Sequence, residues 1–366
     1  MKRGVWGALI ALLSAVAFSS PSVAADPPQF QVDPFWPKPL PNNWLLGQVA
    51  HIAVDSNDHV WVLQRPRSLT DDEKGATLKP PRNKCCAPAP SVMEFDADGT
   101  FVQGWGFPET KPWVGTEHGI HVDRSGAVWL AGNGQEDSAI HKFSRDGKHL
   151  LTIGVAGPTG GSNDTTRLGR PATLEVDEDA RELYVADGYG NRRVIVFDSE
   201  TGAFKRYWGA YGKKPNDDKQ AAYDPAAAPS QQFANPVHCA TLSRDGHVYV
   251  CDRTNNRIQV FKKDGSFVNE WFYDKPTLGA GSTWGLAMWP DASQSFILNN
   301  DGENNIVRIL RRSDGQVVGS FGRSGRQAGH FHWVHALAVD SKGNVYTGEV
   351  DTRKRVEKFT PDDPPK

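Results

Sequence analysis

Short runs in which apolar and polar residues alternate recur along the chain in pairs, each pair divided by a tight turn. The pattern is apolar, x, Val, Asp, a turn, then apolar, aromatic, apolar. It appears as Ile52-Ala53-Val54-Asp55 leading to Val60-Trp61-Val62, and as Ile120-His121-Val122-Asp123 leading to Val128-Trp129-Leu130. Leu174 to Asp177 leads to Leu183-Tyr184-Val185, and Leu337 to Asp340 leads to Val345-Tyr346-Thr347. Two looser copies begin at Ala240 and Leu286. A period of two predicts strands, and the turn residues between them predict hairpins. Most pairs are followed by two further strands, as in Val194 to Phe197 with Phe204 to Gly209, and Ile258 to Phe261 with Phe267 to Trp271.

Six four-stranded units at this spacing predict an all-β, six-bladed β-propeller, and the repeats resemble NHL repeats. The blades fall at about 44–106, 113–154, 170–209, 234–272, 283–322 and 333–360 of one domain spanning 26–366. The sixth unit stops after Phe359 without a fourth strand. Phe30 to Phe35, ahead of the first unit, can supply it, which would close the ring and remove an open sheet edge. Two long insertions, Pro66 to Pro90 and Lys213 to Gln232, interrupt the pattern; loops of such length are functional or mobile.

Gly 36 and Pro 25 suit many strands joined by turns. A net charge of -2 gives no basic excess that would point to nucleic acid or an anionic membrane. Met1-Lys2-Arg3, an apolar stretch to about Phe18, and the small residues up to Ala25 form an expected signal peptide over 1–25. The protein is therefore expected in the periplasm or outside the cell, as a monomer with no membrane span after cleavage. An oxidising compartment permits disulfides. Cys239 and Cys251 flank the first hairpin of blade four and fall opposite each other if Ser243 pairs with His247, which predicts a bond between them. That leaves Cys85 and Cys86 as a vicinal pair or free thiols.

Aligned on the aromatic of the second strand, the residue opening the first strand is Ala50, His118, Ala172, His238, Trp284 and His335 in blades one to six. Histidine, of which the chain has 11, fills alternate blades. First strands line a propeller's axis, so these three side chains are expected to converge across the channel, forming a zinc site with an open fourth position. A single histidine there would be explained by a hydrogen bond between blades; three related by symmetry favour the metal. His330 and His332 lack this symmetry and read as loop residues. The loops after the second strands open on the same face and carry Arg65, Tyr189 and Arg253. Guanidiniums suit a carboxylate, and a phenol beside them can serve as a base.

These residues give the chain its resemblance to the peptidyl-α-hydroxyglycine α-amidating lyase family. The stretches that carry it are Leu46 to Ala50, Glu117 to Ile120, Asp187-Gly188-Tyr189, Cys251-Asp252-Arg253, Arg257-Ile258-Gln259 and Val334-His335. The resemblance implies a zinc lyase that cleaves a carbinolamide to an amide and glyoxylate. Its zinc ligands fall on His118, His238 and His335, its catalytic tyrosine on Tyr189, and its active-site arginines on Arg65 and Arg253. The family's Asp after the last zinc histidine serves a structural Ca2+; Ala336 stands there, so the resemblance does not extend to calcium. The family's Met before that histidine is Trp333 here. The expected substrate is a small molecule or peptide bearing a carboxylate. Metal-assisted hydrolysis of an ester or lactone, and a non-enzymatic peptide- or protein-binding propeller, are the competing readings.

Overall fold

A computed structural model describes residue 1 and residues 26–365, so all of the expected leader but Met1 lies outside it. The described chain is a six-bladed β-propeller. Its six four-stranded antiparallel sheets carry their innermost strands at Gln48–Val54, Glu117–Val122, Leu174–Asp177, Val237–Leu242, Gly285–Met288 and Val334–Val339. Short 3-10 turns are the only helical segments among these residues, and no helix is long and apolar enough to cross a membrane.

The repeated Asp has a specific task. The Asp55 carboxylate accepts the turn amides of Asn57 (2.9 Å) and His59 (3.0 Å), and its other oxygen accepts the indole N–H of Trp61 (3.1 Å). Asp123 does the same for Ser125, Ala127 and Trp129, and Asp340 for Lys342, Asn344 and the Tyr346 hydroxyl. One side chain thus closes the turn and satisfies the polar end of a buried aromatic, whose rings fill the layers between blades. In blades one, two and six the spacing from Asp to aromatic is the same because both jobs fall to one carboxylate; in blade three the Tyr184 hydroxyl donates to Glu182 instead.

Closure follows the expected route. Phe30–Asp33 pairs antiparallel with Val356–Pro361, from Phe30 opposite Pro361 to Asp33 opposite Lys358, and completes blade six. The sheet that would end in an exposed edge is covered by the chain's own first strand. Pro66 to Pro90 adds a short parallel pairing of Trp44–Leu45 with Ala87–Pro88, and Lys354 of blade six binds its Ser68 carbonyl and Glu73 carboxylate. Cys239 lies opposite Cys251 with Cα atoms 4.8 Å apart, and the two form a disulfide; Cys85 and Cys86 form a second.

The Cys239–Cys251 bond closes a short loop and ties down the strand that carries His238. Loop-closure entropy assigns a loop of this length about 3 kcal/mol. Replacing both cysteines by serine is expected to lower the unfolding free energy by that order, measured by denaturant titration without reductant. An unchanged midpoint would show that the hairpin holds without the bond.

Candidate metal centre

His118, His238 and His335 meet on the propeller axis. Their relative exposures of 0%, 1% and 6% place them out of solvent, and their ring centroids are separated by 4.9 to 5.0 Å. The simple alternation of the sequence pattern does not describe how they get there. Each is the extra residue of a β-bulge: Glu117 and Gly119 pair with consecutive residues of the neighbouring strand, as do Val237 and Cys239, and Val334 and Ala336. A bulge turns its side chain out of the pleat, here toward the axis. Ala50 occupies the same bulge in blade one, whereas Ala172 and Trp284 precede their strands.

The other ring nitrogens explain the orientation. His118 Nδ1 donates to the Ala172 carbonyl at 2.8 Å, His335 Nδ1 to the Ala50 carbonyl at 2.7 Å, and His238 Nδ1 to the Trp284 carbonyl. Each acceptor is the equivalent residue of the next blade round the ring. A carbonyl can only accept, so the proton sits on Nδ1 and the lone pair on Nε2. The hydrogen bond between blades that would explain a lone histidine therefore exists three times, and it aims three Nε2 lone pairs at one point. Burial holds all three imidazoles well below their usual pKa; their neighbouring rings and the Arg65 and Arg253 charges act in the same direction. Neutral imidazole is the form that binds a metal.

The candidate ligand atoms lie within 4.8 Å of one another, so the triad can hold a metal ion, with donor chemistry suited to a three-histidine site open at a further position. Carbonyl partners on the outer nitrogens are the usual support of metal-bound histidine. The remaining His and carboxylate grouping among the described residues, Asp55, His59 and Glu94, is differently occupied: Glu94 pairs with Arg145 and Asp55 closes its turn. Ala336 packs in the apolar cluster with Val49 and Tyr346.

The three loop residues expected at the mouth are there. The Tyr189 hydroxyl donates to Nε2 of His118 at 2.9 Å and lies 3.2 Å from Nε2 of His238; it accepts from Arg253 Nη1 at 3.3 Å. Gly188 lets this loop in, since a Cβ there would lie 2.0 Å from the Val237 carbonyl oxygen. Arg65 is held by the Glu117 carbonyl (2.8 Å) and by Gln48 (3.0 Å), while Arg253 packs 4.6 Å from the Trp284 ring and keeps a buried Nε–H without a protein acceptor. A cavity of about 240 Å³ opens onto these groups, bounded also by Gln48, Trp284 and Trp333. A second cavity of about 240 Å³ runs along the axis on the side lined by His51, His121 and Glu175. His335 and Trp284 border both cavities.

His330 and His332 lie off the axis, at Arg323 and Asp351 respectively. Sequence reasoning did not assign Gln48 or Trp284 to the site. Trp284 was visible as the blade-five member of the aligned position, and Gln48 as a polar residue two before Ala50.

The chain is similar to NHL repeat-containing protein 3 of Homo sapiens, 30% identical over 91% of this chain and 84% of that protein. The NHL repeat family also matches residues 237–261, in blade four. This chain belongs to the NHL repeat family. A second similar protein is the probable peptidyl-alpha-hydroxyglycine alpha-amidating lyase of Caenorhabditis elegans, 25% identical over 85% of this chain and 82% of that protein. A structure of streptogramin B lyase shares the propeller fold of this NHL protein, with a TM-score of 0.51 and 15% identity over 91% of this chain and 98% of that one.

In this NHL propeller, His118→Ala, His238→Ala and His335→Ala are each expected to reduce bound metal below a tenth of the parent value. Elemental analysis of purified protein reads the metal, and circular dichroism confirms the fold. Metal retained at the parent level in all three variants would place it elsewhere.

Proposed function

We propose that this protein is an exported zinc lyase that cleaves N-acyl-α-hydroxyglycines to an amide and glyoxylate. The observation that carries the reading is the convergence of three inward imidazole nitrogens with the Tyr189 hydroxyl, within reach of the Arg253 guanidinium. The similarity to an amidating lyase over most of the chain supports the same reaction class. The two cysteine pairs suit an oxidising compartment and support export.

The chemistry asks little beyond these residues. A carbinolamide falls apart when its hydroxyl loses a proton and its C–N bond breaks. The oxygen's electron pair becomes the carbonyl of glyoxylate, and the C–N pair leaves on the amide nitrogen, which takes up one proton. His118, His238 and His335 would hold the zinc, which when bound supplies Lewis acidity toward the substrate hydroxyl. Tyr189, at the inner end of the mouth, must first release its own phenolic proton to solvent; as the phenolate it accepts the substrate hydroxyl proton and can return it to the departing nitrogen. Arg253 and Arg65 bind the glycine carboxylate, fix the scissile bond over the tyrosine and offset charge that builds on oxygen. No nucleophile or redox cofactor is required.

The test is glyoxylate release from a peptide ending in α-hydroxyglycine, by zinc-loaded protein. Tyr189→Phe is expected to lower kcat by at least 100-fold, the usual range for a lost acid–base group, with metal content unchanged. No glyoxylate from the zinc-loaded parent, or an undiminished rate in Tyr189→Phe, would overturn the reading.

A further inference from the structure

The mouth cavity combines polar and aromatic groups. Arg65, Tyr189, Arg253, Gln48, Asn133 and Asp351 line it together with the rings of Trp284 and Trp333, and Arg253 lies against the Trp284 ring. Trp284 is 2% exposed and fixed, its indole N–H donating to the Gly281 carbonyl at 2.6 Å. Trp333 meets it edge-on, with centroids 5.4 Å apart and planes at 76°, and is itself 38% exposed.

The backbone of Trp333 is the unusual feature. Its φ is 53°, in the left-handed region that glycine enters freely and a bulky side chain rarely does. The conformation is pinned on both sides: the Trp333 N–H donates to Asn305 Oδ1 at 2.7 Å, and its carbonyl accepts from the Val350 N–H at 3.2 Å. Folding alone gives no reason for tryptophan here, because the ring is not in the core. A strained residue held by its surroundings and aimed at a ligand cavity is a mark of function. The cavity, about 240 Å³, is smaller than the roughly 300–1,000 Å³ of sites that enclose drug-sized ligands. It has room for a small ligand that meets both the guanidinium groups and the indole rings.

We propose that Trp333 is a specificity-determining residue that selects substrates whose acyl group, next to the scissile bond, is aromatic or bulky and apolar. The assignment rests on the lyase reading for its scissile bond. The carboxylate is drawn to the arginines, and the acyl group is left facing the Trp333 ring, where an aromatic group stacks and a methyl group does not.

Two measurements separate this inference from the reaction itself. In the first, zinc-loaded protein is given N-benzoyl- and N-acetyl-α-hydroxyglycine, and kcat/KM is read from glyoxylate release. The parent is expected to favour the benzoyl compound by at least tenfold. Trp333→Ala is expected to shrink that ratio at least fivefold through KM, and Trp333→Phe to keep most of it. In the second, hippurate (N-benzoylglycine, which has no hydroxyl to react) is titrated by calorimetry. It is expected to bind the parent about tenfold more tightly than it binds Trp333→Ala, and N-acetylglycine to bind both weakly. A benzoyl-to-acetyl ratio untouched by Trp333→Ala, or equal hippurate affinities in parent and variant, would overturn the role of Trp333. Absence of glyoxylate from both compounds would overturn the lyase instead, and the hippurate titration would still decide the pocket.

Discussion

An imidazole N–H given to the carbonyl of the next blade is the contact on which the centre of this molecule depends. It occurs at His118, His238 and His335, and each time the acceptor is the equivalent residue one blade on. The bond does three things at once. It satisfies a buried carbonyl, whose loss of a partner would cost about 1–3 kcal/mol. It ties neighbouring blades together at the axis, where innermost strands have no sheet partner on that side. It also fixes the tautomer, so that the remaining lone pair of each ring points at the same place. Stability and the capacity to hold a metal are two readings of one interaction here, and a substitution of any of the three rings touches both.

The loops that complete the mouth are held by a second repeated device. Asp187 at the end of a second strand pairs with Arg193 at the start of the third at 2.9 Å, and Asp252 with Arg257 at 2.7 Å, all four side chains buried. Asp301 and Arg308 repeat the pair in blade five. Removing one partner of such a buried pair costs about 3–5 kcal/mol, so these loops cannot relax cheaply. Tyr189 and Arg253 each sit within the span of one pair. A phenol that must meet two ring nitrogens and a guanidinium needs that rigidity, since a shift of an ångström would lose the geometry.

Much of this was legible in the residues. The Asp-to-aromatic spacing marked the inner hairpins of blades one, two and six because one carboxylate there serves the turn and the ring together. The missing fourth strand after Phe359 announced the closure by Phe30 to Asp33. The alternate-blade histidines, the arginines and Tyr189 could be placed on one face from repeat position alone, and Cys239 opposite Cys251 from strand register. The bulges were not legible, because an extra residue in one strand leaves no periodic trace. Nor were the partners of Nδ1, since a backbone carbonyl carries no side-chain signature. The left-handed turn at Trp333 is invisible for the opposite reason: nothing in its residue type favours that conformation, and only Asn305 and Val350, brought in by the fold, hold it there.

The strand that completes blade six has a consequence for how the chain reaches this state. Phe30–Asp33 is among the earliest parts of the described chain to leave the ribosome, and its partner Val356–Pro361 is among the last. Pairings so distant in sequence form slowly, because the intervening chain must be ordered before the ends can meet. Until then the outer edge of blade six has no partner, and the apolar groove that receives Phe30, between Trp289 and Phe321, stands open. The first strand made is thus the last one seated.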